Sequence, residues 1–333
     1  MFKTLDRTLI IAEVGNNHEG DFSVACELVD RAAETGVDAV KFQTFIPEHY
    51  CSVRDEARMA TLNRFRLTYD QFADLAARAR TKGLLFLSTP FDLESADFLG
   101  TIVDAMKIAS GDNTFYPLIR KAAETGKPMI ISTGLADHNV MAKAVTCARD
   151  AWARQGVSPD LALLHCVASY PVPADQANLA AISTMIGAFP DLTIGYSDHT
   201  IGPEAAVLAV ALGARIIEKH FTLDTAFSDF RDHQLSADPE GLTDLVQAVR
   251  RTEMMLGDGT LGAMPCEGPM VPAVRRSVVA ARDLAAGEEV FPGDITWVRP
   301  GGGVPPGSED QVVGRRLRQA VAQGDMIKSE FLD

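Results

Sequence analysis

Two histidines, His199 and His220, end two short runs of β-branched residues that lie one helix apart in the sequence. The apolar stretch between them, residues 203–213, begins at a Gly-Pro pair and ends at a Leu-Gly pair, which predicts a short helix. A strand–helix–strand unit of this kind places both imidazoles at the same edge of neighbouring parallel strands. Two neutral imidazoles can hold a divalent metal ion and leave coordination positions for water or substrate. The alternative is a pair of hydrogen-bonded core histidines.

Two lysines, Lys41 and Lys107, lie inside apolar strands. An unpaired ammonium group there is costly, so each lysine needs an anion. A neighbouring Asp or Glu is one source of that anion. The alternative is a bound phosphate or carboxylate, held by both lysines together with hydroxyl groups at other strand ends. The candidate hydroxyls belong to Thr89, Ser110, Ser132 and Ser197.

Two carboxylates, Glu13 and Asp112, stand at strand ends. Each can pair with one of the lysines, bind a sugar hydroxyl or move a proton. For Glu13 a functional role is favoured, because the residues that follow it, 14–18, are too polar for core packing. Three further acids are interpreted as structural or supporting residues: Asp92, Asp198 and Glu218.

These residues can form one site only if the fold brings the strand ends together. The chain repeats one strand–helix unit that does this. A strand, a polar cluster, an amphipathic helix and a Gly-containing turn recur eight times. The predicted strands are residues 9–13, 39–44, 84–88, 105–109, 128–131, 161–166, 192–195 and 215–219. Eight units in about 250 residues, with polarity at one end of every strand, predict a (β/α)₈ TIM barrel over residues 1–257. A doubly wound sheet would carry a Gly-rich fingerprint that residues 14–17 do not match.

The composition of the chain changes after Gly257. Residues 258–275 are rich in Gly and Pro without a period and are predicted to be a linker. Residues 276–333 predict a small, mostly β unit with strands at 277–281, near 290 and at 295–298. A unit of this size has only a small hydrophobic core, so we expect it to pack against the barrel or against another subunit.

Composition narrows the class of protein. The chain has 333 residues, 47% hydrophobic and 23% charged, and a formal net charge of −14. This charge argues against a nucleic-acid or anionic-membrane surface, so cations gathered locally must hold any anionic substrate. No apolar run reaches the roughly 18 residues of a membrane span. The five cysteines form no CxxC pair, which is typical of reduced thiols, and we expect a cytoplasmic protein.

Taken together, the motifs resemble the sialic acid (N-acetylneuraminate) synthase family over nearly the whole chain. The tail around Arg299-Pro-Gly-Gly resembles the antifreeze-like SAF domain of that family. The motifs in the barrel region are Ile11-Ala-Glu-Val-Gly-Asn-Asn-His18, Val40-Lys-Phe-Gln-Thr44, Leu87-Ser-Thr-Pro-Phe91, Lys107-Ile-Ala-Ser-Gly111, Ser132-Thr-Gly134, Leu164-His-Cys166, Tyr170-Pro171, Gly195-Tyr-Ser-Asp-His-Thr200 and Glu218-Lys-His-Phe-Thr222.

The resemblance implies condensation of phosphoenolpyruvate with the open-chain aldehyde of an N-acyl-mannosamine-type sugar and water. The products would be a nine-carbon 2-keto sugar acid and phosphate. It also implies a divalent metal ion, commonly Mn²⁺ with Mg²⁺ or Co²⁺ as alternatives, held by His199 and His220. By the same matching, the residues that bind phosphoenolpyruvate would be Lys41, Thr89, Lys107, Ser110, Ser132 and Ser197.

The remaining roles follow from the same resemblance. Tyr170 would contact the acceptor sugar, and Arg299 would reach into the partner subunit's active site, which implies a domain-swapped homodimer. The residues expected to take part in catalysis are Glu13, Asp112, His220 and Asp232.

Three departures from the family pattern bear on the acceptor. The family tends to have Glu where this chain has Asp112, Thr-Asn-Ile where residues 167–169 read Val-Ala-Ser, and Pro-Gly-Pro-Asp where residues 229–233 read Asp-Phe-Arg-Asp-His. With fewer polar groups beside the acceptor, the chain is predicted to take a different or more deoxygenated sugar. The expectation is therefore a nonulosonic acid synthase in the broad sense, with legionaminic-type and spore-coat-type homologues as plausible as neuraminate enzymes.

Two other functions stay open at the level of sequence. Another metal-dependent barrel enzyme that joins phosphoenolpyruvate to an aldose phosphate would need a second Arg or Lys cluster, which the sequence does not show. A non-catalytic sugar-binding homologue would be expected to lose Lys41, Lys107, His199 or His220, and all four are present.

Overall fold

Eight parallel strands close into a barrel, each beside its neighbour in chain order. A computed structural model describes residues 1–333. The closed barrel confirms the predicted (β/α)₈ architecture. The strands are β1 (Leu9–Gly15), β2 (Ala39–Thr44), β3 (Leu85–Pro90), β4 (Ala105–Ile108), β5 (Met129–Ser132), β6 (Leu161–Cys166), β7 (Thr193–Asp198) and β8 (Ile216–His220).

Helices alternate with the strands, and two additional helices, Pro47–Tyr50 and Glu56–Phe65, lie between β2 and the helix that leads to β3. The helices of this part of the chain are α1 (Phe22–Glu34), α2 (Pro47–Tyr50), α3 (Glu56–Phe65), α4 (Tyr69–Thr81), α5 (Leu93–Ile102), α6 (Tyr116–Glu124), α7 (His138–Gln155), α8 (Ala181–Ala188), α9 (Glu204–Ala211), α10 (Arg231–Leu235) and α11 (Pro239–Leu256).

The strands send alternate side chains to opposite faces of the barrel wall. In β1, Ile10, Ala12 and Val14 belong to the main core that includes the helices, whereas Ile11 belongs to a second core inside the barrel. Glu13 continues the inward series at the carboxyl end of the strand and is 2% exposed. Because this alternation is shared by all strands, inward-facing residues at the carboxyl ends converge on the barrel axis.

Several loops at this end are fixed by helix caps. Asp21, Asp92, Asp137 and Asp238 each accept a hydrogen bond from a backbone N–H in the first turn of the helix that follows. Asp92 also accepts a hydrogen bond from the backbone of Ile46 at 2.8 Å. The interpretation of Asp92 as a structural residue is therefore confirmed, and the caps hold the segments that follow the strands in place.

Strand bounds agree with the sequence prediction at β2 and β6 and differ most at β7. The predicted strand at residues 192–195 ends too early, because Tyr196, Ser197 and Asp198 continue the ladder opposite β8. Polar side chains do not end a strand when its backbone still has a partner. None of the helices is both long and apolar enough to cross a membrane.

A second compact unit, Asp258–Asp333, follows the first, Met1–Gly257. Its one two-stranded sheet pairs β9 (Ser277–Ala280) with β10 (Ile295–Val298) in antiparallel fashion. The predicted strand near residue 290 is wrong, because residues 284 and 289 form only isolated bridges, with Val321 and Arg316. Single-residue bridges to a distant segment cannot extend into a ladder. The predicted linker contains a 3₁₀ helix (Pro265–Met270) and a short helix, α12 (Val271–Val274).

Candidate active site

A small cavity opens where the carboxyl ends of the barrel strands meet. All eight strands, or the residues directly after them, contribute to its wall. The predicted site residues that the structure brings together there are Glu13, Lys41, Thr89, Lys107, Ser110, Ser132, Tyr170, Ser197, His199 and His220.

Two lysines and two glutamates form a buried charged cluster in the cavity. Lys41 Nζ lies 2.7 Å from Glu13 Oε2 and 3.7 Å from Glu218 Oε2. Lys107 Nζ lies 3.2 Å from Glu218 Oε1. The carboxylate alternative is thus confirmed for both lysines, and both ammonium groups nevertheless face the cavity. Glu218, interpreted from sequence as structural or supporting, is the acid that the two lysines share.

Burial and ion pairing shift the pKa values of these two lysines and two glutamates differently. Burial raises the pKa of Glu13, although Lys41 opposes the shift. Burial would also raise the pKa of Glu218, but Lys107 and Lys41 outweigh it and hold that pKa at about 2. Burial lowers the pKa of Lys107, whereas Glu13 and Glu218 outweigh burial at Lys41 and raise its pKa. Glu218 therefore stays ionised, and Glu13 is the acid of the cluster that takes up a proton more readily.

The two histidines lie side by side in the cavity wall, with ring centroids 5.3 Å apart. His199 Nδ1 is 2.8 Å from the carbonyl oxygen of Val167, a contact in which a neutral ring donates and keeps its lone pair on Nε2. His220 Nδ1 is buried and has no hydrogen-bond partner. Burial lowers the pKa of both rings, that of His220 well below its usual value, so both are neutral at neutral pH. A neutral imidazole pair with an unpartnered nitrogen is a donor set that divalent ions accept.

Hydroxyl groups surround the charged cluster. Ser197 Oγ donates to Glu218 Oε1 at 2.9 Å, and Lys41 Nζ donates to Thr89 Oγ1 at 3.3 Å. Ser132 Oγ is buried and has no partner. A buried hydroxyl without a protein partner in a polar cavity indicates a place for a polar ligand.

Ser110 depends on a glycine for its position. Its Oγ accepts a hydrogen bond from the backbone N–H of Gly134 at 3.1 Å. A Cβ at Gly134 would lie 2.7 Å from that oxygen, so any other residue would displace the serine. The predicted Ser-Thr-Gly motif after β5 thus places one hydroxyl in the wall and leaves room for a second.

Tyr170 lies at the rim of the cavity and is 37% exposed. Its ring stacks on His199 at 4.1 Å between centroids, and the guanidinium carbon of Arg231 lies 5.0 Å from its centroid. Asp232 follows Arg231 directly and is buried, which raises its pKa. Asp232 is not part of the cavity wall, but its charge acts on the Tyr170 hydroxyl.

The structure places two other predicted residues outside the cavity wall. Asp112 ends the single 3₁₀ turn that begins with the wall residue Ser110. Its side chain is half-buried, and burial raises its pKa to about 6. Arg299 belongs to the second unit, where it is exposed directly after β10.

Sequence reasoning did not assign five wall residues to the site, and three of them, Gln43, Cys166 and Glu218, have side chains that can make polar contacts. Gln43 Nε2 donates to Glu13 Oε1 at 3.2 Å, so Glu13 has Gln43 on one carboxylate oxygen and Lys41 on the other. A signal for two of the three was present in the sequence. Gln43 stands two residues after Lys41 and Glu218 stands two residues before His220, so strand alternation puts each on the inward face.

A closed parallel barrel with a charged cavity at the carboxyl ends of its strands defines a (β/α)₈-barrel enzyme. Residues 28–261 match the NeuB family, and residues 275–332 match the SAF domain. The chain belongs to the NeuB family, and the resemblance seen in its motifs is confirmed.

Relatives and solved structures agree with this assignment. The chain is 42% identical to the uncharacterized protein MJ1065 of Methanocaldococcus jannaschii, over 96% of this chain and 93% of that protein. It is 36% identical to the N,N'-diacetyllegionaminic acid synthase of Campylobacter jejuni, over 97% and 100%. The crystal structure of N-acetylneuraminic acid (sialic acid) synthetase from Leptospira borgpetersenii is 36% identical, with a TM-score of 0.74 over 80% of this chain and 90% of that one.

Proposed function

We propose that this protein is a nonulosonic acid synthase that condenses phosphoenolpyruvate with the open-chain aldehyde of an N-acyl-mannosamine-type sugar. C3 of the enol forms a bond to the aldehyde carbon, water adds at C2, and the C2–O bond to phosphate breaks. The observation that carries the proposal is the convergence, in one cavity, of two buried ammonium groups, an unpartnered serine hydroxyl and two neutral imidazoles. The names of the relatives support the same reaction.

The phosphoenolpyruvate site is proposed to lie at the floor of the cavity. Its phosphate and carboxylate need cations and hydroxyl donors, and the proposed ligands are the residues that the resemblance assigns. They are Lys41, Thr89, Lys107, Ser110, Ser132 and Ser197. Lys107 is the strongest candidate, since one glutamate oxygen at 3.2 Å is its only hydrogen-bond partner and two donor hydrogens stay free.

A metal ion would be held by His199 and His220. The structure forms no cluster of three or more His, Cys, Asp or Glu side chains that could hold a metal ion, so the imidazoles would share the ion with substrate or water. The fit rests on the unpartnered, buried Nδ1 of His220 and on the neutral state of both rings. An ion held there would supply Lewis-acid chemistry, which would polarise the aldehyde oxygen and stabilise the negative charge that develops on it.

Glu13 is proposed to move a proton or orient the water that adds at C2. Burial raises its pKa, and Gln43 and Lys41 fix its two carboxylate oxygens. A carboxyl group with a raised pKa can exchange a proton nearer neutral pH than an exposed one. Tyr170 at the rim is proposed to contact the acceptor, with Asp112 and Asp232 as hydroxyl ligands or proton-transfer groups beside it.

The test of the reaction is phosphate release. The protein is mixed with phosphoenolpyruvate, Mn²⁺ and a panel of N-acyl-mannosamine-type sugars, including diacetamido deoxy sugars, and separately with phosphorylated aldoses that carry no N-acyl group. Release with an unphosphorylated sugar supports the proposal. Release only with a phosphorylated aldose would assign the chain to the other class of barrel enzyme, and no release with any sugar would favour a non-catalytic sugar-binding protein.

The metal assignment has its own experiment. His220→Ala is expected to abolish metal-dependent turnover and to weaken Mn²⁺ binding, measured directly by calorimetry, while the melting temperature changes little. Turnover unchanged at saturating metal would count against the assignment. His138→Asn, at an exposed position at the start of α7, serves as the control.

We further propose a domain-swapped homodimer in which Arg299 completes the partner's site. Mixing two inactive variants, Arg299→Ala and His220→Ala, after subunit exchange should restore turnover, because one site of each mixed dimer then has both residues. No recovery in a mixture that contains mixed dimers would contradict the swap. The five free thiols are consistent with a reducing compartment, and we place the reaction in the cytoplasm.

A further inference from the structure

The segment that carries Arg231 and Asp232 is the β8 loop, residues 222–236. Its two ends meet beside the end of β8. The backbone N–H of Thr222 donates to the Ala237 carbonyl at 3.0 Å, and the N–H of Ala237 donates to the His220 carbonyl at 2.8 Å. The loop therefore leaves and returns at the strand end that carries His220, and its interior needs contacts of its own to be fixed.

One imidazole connects the interior of this loop. His233 is fully buried, and its Nδ1 lies 2.6 Å from Thr222 Oγ1. Its Nε2 lies 3.2 Å from Glu19 Oε1. The ring packs against Phe227 and Phe230, with centroids 5.1 and 5.9 Å away. His233 thus joins the start and the middle of the β8 loop to Glu19 on the β1 loop, residues 16–21 between β1 and α1.

Glu19 is itself held firmly. It accepts a hydrogen bond from Ser228 Oγ, and Arg64 Nη2 lies 3.6 Å from its carboxylate oxygen Oε2. Its backbone has a φ of 46°, a left-handed conformation that is costly for a residue with a side chain. The next residue is Gly20, where a Cβ would lie 1.9 Å from the Arg64 carbonyl oxygen. The β1 loop therefore presents the Glu19 carboxylate from a backbone that cannot easily relax.

We propose that His233 and Glu19 are positioning residues that fix the β8 loop against the β1 loop, so that Arg231 stays over Tyr170 and Asp232 stays beside it. The proposal rests on the proposed function only for its kinetic consequence, which is selective loss of acceptor binding. Neither residue lines the cavity, and both are separate from the lysine and histidine clusters. The phosphoenolpyruvate and metal sites should therefore not respond to their loss.

The experiment compares the wild-type chain with His233→Asn, Glu19→Gln and the control His138→Asn. Asparagine keeps a donor near Thr222 but cannot reach Glu19, and glutamine keeps the shape of Glu19 without its charge. For His233→Asn we expect KM for the acceptor to rise about tenfold, with KM for phosphoenolpyruvate and the Mn²⁺ affinity unchanged within about twofold. Glu19→Gln should act in the same direction by about threefold, and His138→Asn should match wild type.

Amide hydrogen exchange provides a readout that does not need turnover. Amides of the β8 loop should exchange about tenfold faster in His233→Asn, while those of the barrel strands keep wild-type rates. Unchanged loop exchange would overturn the proposal, and so would faster exchange throughout the barrel or an equal loss of kcat/KM for both substrates. If wild type catalyses no condensation, the proposed function fails, and the exchange measurement alone then supports or overturns the positioning role.

Discussion

Lysine is buried at two places in the barrel, and the two surroundings are opposite in kind. Lys219 Nζ lies 2.9 Å from Asp198 Oδ2 and donates to the carbonyl oxygens of Thr200 and Gly202 at 2.5 and 3.1 Å. Asp198 also accepts hydrogen bonds from Thr200 and from Tyr196. The ammonium group has three donor hydrogens and three acceptors, so no place for a ligand remains. Asp198 is accordingly structural, as the sequence interpretation held.

In the cavity the situation is reversed. Lys107 has Glu218 as its only hydrogen-bond partner, and Lys41 shares that glutamate with it. Burial costs Lys107 enough to lower its pKa. This contrast separates a structural buried lysine from a functional one. Lys219 has as many acceptors as donor hydrogens, whereas Lys107, proposed to bind substrate, keeps unfilled donors that face the cavity.

The largest effect that this comparison predicts is on turnover. Lys107→Met should lower kcat/KM for phosphoenolpyruvate by about a thousandfold, because it removes a preorganised cation from the site. The free energy of unfolding should fall by less than about 3 kcal/mol, the lower limit for an uncompensated buried charge, because Glu13 can take up a proton and Glu218 keeps Lys41 and Ser197 as partners. Phosphate release and urea denaturation measure the two quantities. A loss of unfolding free energy as large as that expected for Lys219→Met would contradict the proposed difference between Lys107 and Lys219.

The second prediction is the converse. Lys219→Met leaves Asp198 as a buried, uncompensated charge, which costs about 3–5 kcal/mol of unfolding free energy. Urea denaturation of the purified variant measures this loss. The double variant Asp198→Asn with Lys219→Met carries no buried charge and should recover part of the stability, whether or not the single variant can be purified. Unchanged unfolding free energy in Lys219→Met would mean that the ion pair of Lys219 with Asp198 contributes nothing to stability.

The smallest predicted effect extends the comparison to carboxylates. Asp198 has several donors, whereas the Asp112 side chain accepts no hydrogen bond, and burial raises its pKa to about 6. The pKa of Asp112 is about 6 in the folded protein and about 3.9 in the unfolded chain, so its protonated form stabilises the fold fully below about pH 3.9. That stabilisation is lost as the pH rises through 6. Asp112→Asn cannot ionise, so it should be more stable than wild type at high pH, and the difference should vanish near pH 4.

Because Asp112 is half-exposed and solvent screens its charge, the expected gain at pH 8 is only about 1 kcal/mol. Melting temperatures of both proteins across this pH range measure it. Asp175→Asn, at an exposed position on the 3₁₀ helix Ala174–Gln176, is the control and should show no such trend. A gain that is the same at pH 4 and pH 8 would show that ionisation of Asp112 is not its cause.

The barrel was predictable because its sequence is regular. Buried apolar runs followed by polar clusters marked every strand. Nine wall residues of the cavity were predicted from the strands and their ends, and the family resemblance added Tyr170. The pairing inside the cavity was not predictable in the same way. Glu13 faces Lys41 and also His220 because β1 lies between β2 and β8 in a definite register, with an irregularity between Glu13 and Gly15. Register depends on barrel closure, which no local pattern specifies.

In the second unit, by contrast, the sequence pattern did not predict the strand pairing correctly. Its predicted middle strand was wrong because Leu284 and Glu289 each pair with only one residue, more than 25 positions further along the chain. Such pairings leave no alternation to detect. The β8 loop was difficult for a related reason. The Asp-Phe-Arg-Asp-His stretch lacks the expected turn residues, and its conformation depends on contacts of His233 with Glu19, a residue far away in sequence.

The depth of the cavity has a kinetic consequence. Lys41, Lys107 and Glu218 are at most 5% exposed, whereas Tyr170 at the rim is 37% exposed. A molecule held at the bottom has to arrive before one held at the opening, and it cannot leave while the upper one remains. Initial-rate patterns should therefore show compulsory-order addition with phosphoenolpyruvate first, and an excess of acceptor should slow the reaction by occupying the entrance too early.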